Sequence, residues 1–240
     1  MNSIAAPENG EALRILFYDR WLCAIDKPSG LMVHKTAIGD DRVFALQRLR
    51  DQLGQRVWPL HRLDRATSGV LLFALDADTA AAVGQQIMER QVDKRYLAVV
   101  RGFTEPSGCI DHPLSTGDQR PDQAAVTEYR RLATMELPEP VGRYPVARYS
   151  LVEVQLRTGR THQIRRHFKH IFHPLIGDTT YGEGRHNRLF RRRFGCQRLL
   201  LHAVELTLAH PWTQQTLAVR AATRGSFRRV EEVFLRHSLR

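Results

Sequence analysis

The sequence contains little cysteine and no long apolar segment. Its three cysteines, Cys23, Cys109 and Cys196, are odd in number and far apart. Such a set supports neither a disulfide framework nor a zinc site built from cysteine, and it suits a reducing cytosol. No apolar run reaches the roughly 18 residues that a membrane-spanning helix needs. The first residues lack a basic region followed by an apolar core, so we predict no secretory signal and expect a cytoplasmic protein.

Lysine is scarce as well, although the chain is strongly basic. Only Lys27, Lys35, Lys94 and Lys169 are lysines among the 36 cationic side chains, and the formal net charge is +11. An excess of positive charge predicts a polyanionic partner, above all nucleic acid. Arginine grips phosphate with a two-pronged fork and stacks on bases, which favours RNA. A GC-rich genome would explain the arginine preference as well, but it does not explain the net charge.

Several familiar catalytic motifs are missing from the sequence. Neither G-x-x-x-x-G-K-S/T nor G-x-G-x-x-G occurs, so no glycine-rich phosphate loop is predicted. Four histidines share one short segment, but on a helix they point in different directions, and no acid or cysteine completes a tetrahedral set. We therefore predict no metal site at these positions, which are His162, His167, His170 and His173.

The length of 240 residues predicts a flexible tail, residues 1–13, and a single domain, residues 14–240. Alternating and helical spacings of apolar residues predict both strands and helices. One helix is predicted to start at Asp76 or Asp78, to end near Gln91, and to bury Ala80, Val83, Ile87 and Met88. The other predicted helices are 42–53, a segment within 157–174, and 225–237. The predicted strands are two or three within 15–35, a short one near 109–114, and 57–60, 70–75, 94–102, 124–135, 147–157, 199–208 and 216–221.

Residues 61–72, HRLDRATSGVLL, combine a cluster of charges with a turn and an apolar run. The turn and the bounded apolar run predict a loop that leads into a buried strand, and Asp64 lies in this loop. Arg62 and Arg65 favour the ionised form of Asp64, which can then act as a nucleophile or stabilise positive charge. Local composition alone leaves a simpler possibility open, in which Asp64 caps the turn or forms an ordinary ion pair with Arg62.

Four further segments accompany this loop in a consistent order. They are DKPSG at 26–30, KRYLAVVRG at 94–102, TGRTHQIR at 158–165 and RLLLHA at 198–203. Together with HRLDRATSG they resemble the conserved motifs of the RluA-type pseudouridine synthases. The one departure is Asp26, which stands where that family often has asparagine. The resemblance spans about residues 22–203, and it implies an α+β fold with a central, mostly antiparallel sheet that helices and loops flank.

The resemblance also implies roles for individual residues. Asp64 would be the catalytic nucleophile, and Tyr96 would stack on the target base and assist a late proton transfer. Arg165 would pair with the catalytic aspartate, and Arg62 would enter the space that the base vacates. Without the resemblance, Tyr96 is a core tyrosine of a strand and Arg165 belongs to a solvated basic helix face.

Other residues are candidates for binding the RNA. The start of the helix after Gly159 offers backbone N–H groups and cations to a phosphate. The basic segment 185–198 is suited to follow an RNA backbone, and its Phe190 and Phe194 are available for packing or stacking. A solvated surface helix is the alternative interpretation of segment 185–198. The RNA-binding candidates are Arg62, Arg160, His162, Arg191, Arg192 and Arg193, and Leu200 and Leu201 are candidates for lining the uracil pocket.

The predicted function is the isomerisation of a uridine in RNA to pseudouridine. Within the family, segments 142–154 and 177–203 resemble members that act on tRNA, which implies uridine 65 of tRNA as the target and leaves 23S ribosomal RNA as the second choice. An isomerisation requires no cofactor and no metal, and a monomer is expected. The family's frequent N-terminal S4 domain is not expected, since family-like sequence begins by about Ile15. Two alternatives are a non-catalytic RNA-binding protein, which predicts a broken active site, and a phosphodiesterase, which predicts clustered acids for metal ions.

Overall fold

A computed structural model describes residues 12–34, 43–117 and 121–237. These residues form two compact units. The first unit contains the described residues of Met1–Asp93 and Ala203–Ala222, and the second contains those of Lys94–His202 and Thr223–Arg240. Most of the predicted tail, residues 1–13, lies outside the described residues. Its last residue, Leu13, is buried and exchanges two hydrogen bonds with the side chain of Gln52, at 2.7 and 3.0 Å.

Strands and helices follow one another along the chain as the apolar spacings predict. The strands are β1 (Ile15–Tyr18), β2 (Leu22–Lys27), β3 (Trp58–Pro59), β4 (Ser68–Ala74), β5 (Asp93–Arg101), β6 (Ser107–Asp111), β7 (Val126–Leu137), β8 (Ala147–Leu156), β9 (Leu201–Ala209) and β10 (Thr216–Arg220). The helices are α1 (Ala45–Leu53), α2 (Ala77–Met88), α3 (Gln163–His170), α4 (Gly184–Phe194) and α5 (Gly225–His237). The α+β class is therefore confirmed. Residue 42, the first of one predicted helix, lies outside the described residues.

The sheet of the first unit is built largely from antiparallel pairs. Strand β2 lies between β1 and β4, β3 pairs with β4, and β10 pairs with β9, all antiparallel. Strand β4 also neighbours β9. Alternate apolar residues of these strands face α2 and form a buried core, because successive side chains of a strand point to opposite faces. The core residues are Leu22, Ala24, Val70, Leu72, Val83, Leu206, Leu208, Val219 and Ala221.

Helix α2 starts as predicted and ends earlier than predicted. The carboxylate of Asp76 accepts hydrogen bonds from the backbone N–H and the hydroxyl of Thr79, at 2.7 and 2.8 Å, so Asp76 is the N-cap. The helix ends at Met88, and Arg90 has a left-handed φ of 59°. The prediction that Met88 faces the core is wrong, since this side chain is 73% exposed in the last turn. Thr79 is fully buried instead.

The sheet of the second unit has the order β5-β8-β7-β6, and its pairs are antiparallel. The apolar spacing of α5 predicts an inward face of Phe227, Val230, Val233 and Phe234. This face is largely confirmed, since three of the four are buried and Val233 is half-buried. Phe190 of α4 is buried against Tyr149 of β8, with ring centroids 4.8 Å apart. Of the two uses that the sequence allowed for Phe190, packing is therefore the one observed. Among the described helices, none is long and apolar enough to cross a membrane.

Candidate active site

The loop that carries Asp64 connects β3 to β4, and it leads directly into a buried strand as the sequence predicts. The backbone carbonyl of Asp64 accepts a hydrogen bond from the N–H of Thr67 at 3.0 Å, which closes the turn before Ser68 begins β4. Every residue of β4 is buried. Asp64 itself is half-buried, so a rigid strand holds the loop while its carboxylate lies near the surface.

A fully buried lysine supports the loop from β2. The ammonium group of Lys27 donates hydrogen bonds to the carbonyl oxygens of Leu31, Pro28 and Arg65 at 2.7, 2.9 and 3.2 Å. A buried charge is tolerated when hydrogen-bond partners replace its water shell, and three carbonyl oxygens meet that need here. Because Arg65 follows Asp64 directly, Lys27 fixes the backbone next to the candidate nucleophile. The sequence placed Lys27 in a family-like turn but did not predict this role.

Further hydrogen bonds join the turn at 28–30 to the same loop. The N–H of Gly30 donates to the carbonyl of Arg65 at 2.8 Å, and Nε of Arg65 donates back to the carbonyl of Gly30 at 3.1 Å. The hydroxyl of Ser29 donates to the carbonyl of Ala66 at 2.7 Å. The two motifs DKPSG and HRLDRATSG therefore form one hydrogen-bonded structure around the backbone that carries Asp64.

Arg62 and His61, the first residues of the motif, have different environments. The backbone N–H of Leu72 donates to Nε2 of His61 at 3.1 Å, which ties the start of the motif to β4. Arg62 is exposed and makes no ion pair with any residue that the structure describes. The simple ion pair between Asp64 and Arg62 that composition left open is thus not observed. An exposed guanidinium beside Asp64 is compatible with the predicted insertion of Arg62 into RNA, which stays a prediction.

Tyr96 and the two candidate pocket leucines lie in or beside strands of the second unit. Tyr96 is buried in β5 opposite Val154 of β8, so the predicted strand is confirmed while its catalytic role stays a prediction. Leu200 and Leu201 are both buried. The carbonyl of Leu200 accepts a hydrogen bond from the N–H of Val99 in β5, at 3.1 Å. Their contact with uracil also stays a prediction.

Arg165 forms a buried ion pair that the sequence did not predict. Its Nε and Nη2 donate to the two carboxylate oxygens of Asp178 at 2.7 and 2.9 Å. Arg165 is only 7% exposed, so it does not belong to a solvated helix face. Paired charges with two parallel hydrogen bonds are strong and hold the guanidinium in one orientation. The pairing of Arg165 with Asp64 that the resemblance implies stays a prediction.

Asp178 is held as firmly as its partner. The N–H groups of Thr180 and Tyr181 each donate to its carboxylate at 2.9 Å. Burial alone would raise the pKa of Asp178, but the hydrogen bonds from Arg165 and from these two N–H groups outweigh it, so the pKa is lowered. The sequence analysis did not single out Asp178, the last residue of HPLIGD at 173–178. An aspartate that follows a proline and a glycine in a turn was the available signal.

Tyr181 is a second functional candidate that the sequence analysis missed. The guanidinium of Arg165 lies 5.1 Å from the centroid of its ring, in a cation–π contact. The Tyr181 hydroxyl and Nδ1 of His162 are 3.1 Å apart. His162, predicted to contact RNA, therefore lies in the same cluster as Arg165, Asp178 and Tyr181. Its backbone is left-handed, with φ 54°, immediately before α3.

The start of α3 is pinned by a buried glutamine. Oε1 of Gln163 accepts from the Thr158 hydroxyl and from the N–H of Arg160 at 2.8 and 2.9 Å, while its Nε2 donates to Val126 and Thr127 of β7. The side chain of Arg160 is exposed, and its Nε donates to the carbonyl of Ala124 at 3.1 Å. Arg160 thus has a fixed stem at the surface, and its contact with phosphate stays a prediction.

The predicted basic segment is helix α4 with its flanks. Arg191, Arg192 and Arg193 are all exposed, and Arg193 forms an ion pair with Glu139. The four histidines of the rejected metal site contact other groups, and His170 stacks on His112 with ring centroids 3.7 Å apart. Nε2 of His167 lies 3.0 Å from the carbonyl of His112, and Nδ1 of His173 lies 2.7 Å from that of Arg101. In the described parts of the chain, no group of His, Cys, Asp and Glu side chains has the arrangement of a metal site.

Comparison with known proteins adds independent information. Residues 22–170 match the protein family described as RNA pseudouridylate synthase. A curated relative from Vibrio cholerae named tRNA pseudouridine synthase C is 47% identical over 220 residues, which cover 87% of this chain and 90% of the relative. A protein of the same name from Salmonella typhimurium is 45% identical over 221 residues, covering 87% of this chain and 85% of the relative.

Two solved human structures have a similar fold. Human RNA Pseudouridylate Synthase Domain Containing 1 superposes with a TM-score of 0.70 and 26% identity, covering 90% of this chain and 86% of the human chain. Human RNA Pseudouridylate Synthase Domain Containing 4 gives a TM-score of 0.69 and 27% identity, covering 92% of this chain and 93% of the human chain. The similarity therefore extends over nearly the full length of these chains.

Proposed function

The chain belongs to the RNA pseudouridylate synthase family, and from this membership we propose that it converts uridine 65 of tRNA to pseudouridine. The observation that carries the proposal is the loop of Asp64, whose backbone is held by Lys27 and by β4 and which presents the exposed Arg62 two residues before the carboxylate. The names of the curated relatives support tRNA as the RNA. Ribosomal 23S RNA is the second choice.

The reaction needs a carboxylate near the sugar. The C1′–N1 bond of uridine breaks, the uracil turns, and a C1′–C5 bond forms, after which the proton on C5 leaves and N1 regains one. Breaking a glycosidic bond builds positive charge at the sugar, which a carboxylate stabilises or attacks. We assign this role to Asp64. The atoms of substrate and product are the same, so the proposal requires no cofactor and no metal.

Two other residues serve the same reaction in this proposal. Tyr96 stacks on the target base and assists the late proton transfer. Arg165 supplies the cation that this family pairs with its aspartate, and its bidentate bond with Asp178 fixes the direction of its guanidinium. Leu200 and Leu201 line the uracil pocket. A rigid arrangement of this kind supports catalysis because misplacement by about 1 Å can slow a reaction by ~100-fold.

The RNA is held by arginines in this proposal. Arg62 occupies the space that the base leaves when it turns out of its stack. The sequence-independent affinity comes from contacts with phosphates. The residues assigned to these contacts are Arg160, His162, Arg191, Arg192 and Arg193. The free thiols of the three cysteines suit a cytoplasmic enzyme, and a monomer is sufficient for every role named.

Pseudouridine mapping on bulk RNA tests the proposal. RNA from cells that lack the enzyme is incubated with the wild-type protein or with Asp64→Ala, and every new pseudouridine is located. We expect one new site at position 65 of tRNA with the wild type and none with the variant. A new site in ribosomal RNA would replace the proposed substrate and keep the chemistry. The absence of any new pseudouridine would refute the enzymatic proposal.

The same variants separate catalysis from binding. Asp64→Ala is expected to bind tRNA within several fold of the wild type, because phosphate contacts dominate the affinity. Asp51→Asn is the matched control, since Asp51 is an exposed acid on α1 that pairs with Arg50. The control should retain full activity. If Asp64→Ala lost RNA binding together with activity, the assignment of Asp64 to the chemical step would be wrong.

A further inference from the structure

The tip of the β7–β8 hairpin, residues 138–146, lies along helix α4. Glu139 at one end of the tip forms an ion pair with Arg193 near the end of α4. At the other end, a β-carbon placed on Gly142 would lie 3.1 Å from Nη1 of Arg185, near the start of α4. These two contacts are eight helical residues apart, about 12 Å along the helix axis. The tip and α4 therefore present one continuous surface.

This surface has an excess of positive charge. The nearby acids each pair with an arginine: Glu136 with Arg148, Glu139 with Arg193, and Glu183 with Arg101. Other arginines of the tip and of α4 are exposed and form no ion pair with any residue in the ranges that the structure describes. They are Arg143, Arg185, Arg188, Arg191 and Arg192. A cluster of arginines without acidic partners attracts a polyanion.

An exposed aromatic ring stands at the edge of these charges. Tyr144 is 58% exposed at the hairpin tip. The guanidinium of Arg143 lies 5.1 Å from the centroid of its ring, and Nη2 of Arg143 donates to its hydroxyl at 3.0 Å. One face of the ring is thus covered by a cation. A planar base that stacks on the opposite face would lie between the ring and solvent.

Backbone hydrogen bonds order the turn that carries this ring, and the bond from Arg143 to its hydroxyl restricts the side chain. Val141 and Tyr144 exchange two backbone hydrogen bonds, at 3.1 and 3.4 Å, across a turn in which Gly142 has a φ of 65°. Two-residue turns with glycine at positive φ are rigid connections between antiparallel segments. A ring that is already ordered loses little conformational freedom when it binds. Tyr144 is therefore suited to stack on a base, because its ring is exposed at an ordered turn and is not part of a core.

We propose that the hairpin tip and α4 form one RNA-binding surface, in which Tyr144 stacks on an unpaired base and the arginines contact the flanking phosphates. The proposal rests on the proposed function, because it takes the substrate RNA as the ligand. Aromatic rings that stack on bases beside a basic groove are the usual means of binding unpaired nucleotides. It adds Arg143, Tyr144, Arg185 and Arg188 to the residues that hold RNA.

Binding of unmodified tRNA, measured by fluorescence anisotropy at several salt concentrations, tests the proposal. Tyr144→Ala should weaken binding at least about fivefold, the minimum for loss of one base stack. Tyr144→Phe should stay within about twofold of the wild type because it keeps the ring. The salt dependence should be unchanged in both. Arg188→Ala should reduce the slope of log affinity against log salt by about 0.7–0.9, as expected for one lost phosphate contact.

A matched control and a second measurement complete the test. Tyr18→Ala removes an exposed tyrosine of β1 and should leave tRNA binding unchanged. The wild-type protein is also cross-linked to tRNA that contains 4-thiouridine and digested with trypsin. Cleavage after Arg143 and Arg148 isolates residues 144–148, and we expect cross-linked RNA on this peptide. This measurement does not depend on whether a variant folds.

The possible failures can be told apart. Two outcomes would refute this surface and leave the proposed function intact, provided that the wild type is active. One is unchanged binding by Tyr144→Ala, and the other is the absence of a cross-link at residues 144–148. Equal losses from Tyr144→Ala and Tyr144→Phe would show that the hydroxyl matters and would overturn base stacking. If the wild type neither bound nor modified RNA, the proposed function would fail and this inference with it.

Discussion

Arg165 and Asp178 form a bidentate ion pair from which solvent is almost excluded, with hydrogen bonds of 2.7 and 2.9 Å. Asp178 is 2% exposed and also accepts two backbone N–H groups from the turn that carries Tyr181. The pair therefore joins helix α3 to that turn and orients the guanidinium. A buried pair adds little stability relative to an apolar replacement, so its main effect is to orient the guanidinium of Arg165, which we propose as a residue of the active site.

Removal of the charge on Asp178 should harm both stability and activity. In Asp178→Asn, Arg165 stays buried without its counter-charge, and breaking such a pair typically costs about 3–5 kcal/mol. The free energy of unfolding in urea should fall by an amount of this order. Single-turnover pseudouridine formation should slow as well, because the guanidinium of Arg165 is no longer held. Wild-type stability of the variant would contradict this account.

The exposed pair of Arg50 and Asp51 provides the control for that experiment. Its side chains are both 54% exposed and its members are neighbours on α1. Asp51→Asn should leave the free energy of unfolding close to that of the wild type, because water screens a surface pair. The contrast between the two aspartates then isolates the effect of burial from the effect of losing one negative charge.

Lys27 should be required for the order of the Asp64 loop. In Lys27→Met the side chain has a similar length, but the carbonyls of Pro28, Leu31 and Arg65 each lose the hydrogen bond from the ammonium group, and that of Arg65 still accepts from the N–H of Gly30. Unsatisfied buried acceptors cost about 1–3 kcal/mol, and the loop should loosen. Hydrogen exchange at the N–H of Gly30, which bonds to Arg65, reports on this directly. We expect faster exchange there and a lower kcat with tRNA affinity retained.

Two outcomes would argue against this role of Lys27. Unchanged exchange at Gly30 would mean that the remaining bonds, such as that from Ser29 to Ala66, suffice to hold the loop. A loss of tRNA affinity with kcat unchanged would place Lys27 in binding rather than in positioning. Ser29→Ala removes only that single bond from the same turn, and a smaller effect on kcat is expected from it.

Stability should decrease below neutral pH because of buried histidine. Burial is the main cause that lowers the pKa of His186, opposed by Glu183 and assisted by Arg101. Its pKa is therefore lower in the folded chain than the unfolded value of about 6.5, so the unfolded chain binds more protons in this window. The contribution of His186 to the free energy of unfolding is complete above the unfolded pKa. It is lost as the pH falls from the unfolded pKa toward the lower folded pKa.

His186→Gln removes this proton uptake. The free energy of unfolding in urea should be lower at pH 5.5 than at pH 7.5 for the wild type, and this difference should be smaller for the variant. His167 has a pKa lowered by burial as well, so part of the dependence should persist in the single variant. Equal pH dependence of the wild type and His186→Gln would mean that His186 is not responsible.

The sequence predicted the elements of the fold and the motif positions well, because both depend on local patterns. Alternation over β7 and β8 and the inward face of α5 were visible as spacings of apolar residues. Asp76 was recognised as a helix cap for the same reason. The end of α2 was less accurate, since the position where a helix stops depends on local backbone geometry such as that at Arg90.

The partners of the site residues were not predictable from local patterns. Asp178 is 13 residues from Arg165 along the chain, and Arg65 is 38 residues from Lys27. Which acid meets which base at these separations is decided by the packing of whole elements. A motif comparison identified Arg165 as functional without identifying the carboxylate that holds it. The burial of Phe190 against Tyr149 was hidden for the same reason, because hydrophobic residues in a basic segment suit stacking and packing equally.

Gly69 in the signature motif should tolerate no side chain. Its φ is 110°, and a β-carbon there would lie 2.2 Å from the carbonyl oxygen of Ala203, the last residue of the RLLLHA motif. Gly69→Ala should therefore be destabilised well beyond the about 1–2 kcal/mol of left-handed strain alone. Gly54→Ala is the control, because Gly54 is left-handed at the end of α1 with no atom within 4 Å of such a β-carbon. In urea unfolding, Gly54→Ala should lower the free energy of unfolding only by the backbone strain. An equal loss for Gly69→Ala would mean that the close contact with Ala203 is not the reason for glycine at position 69.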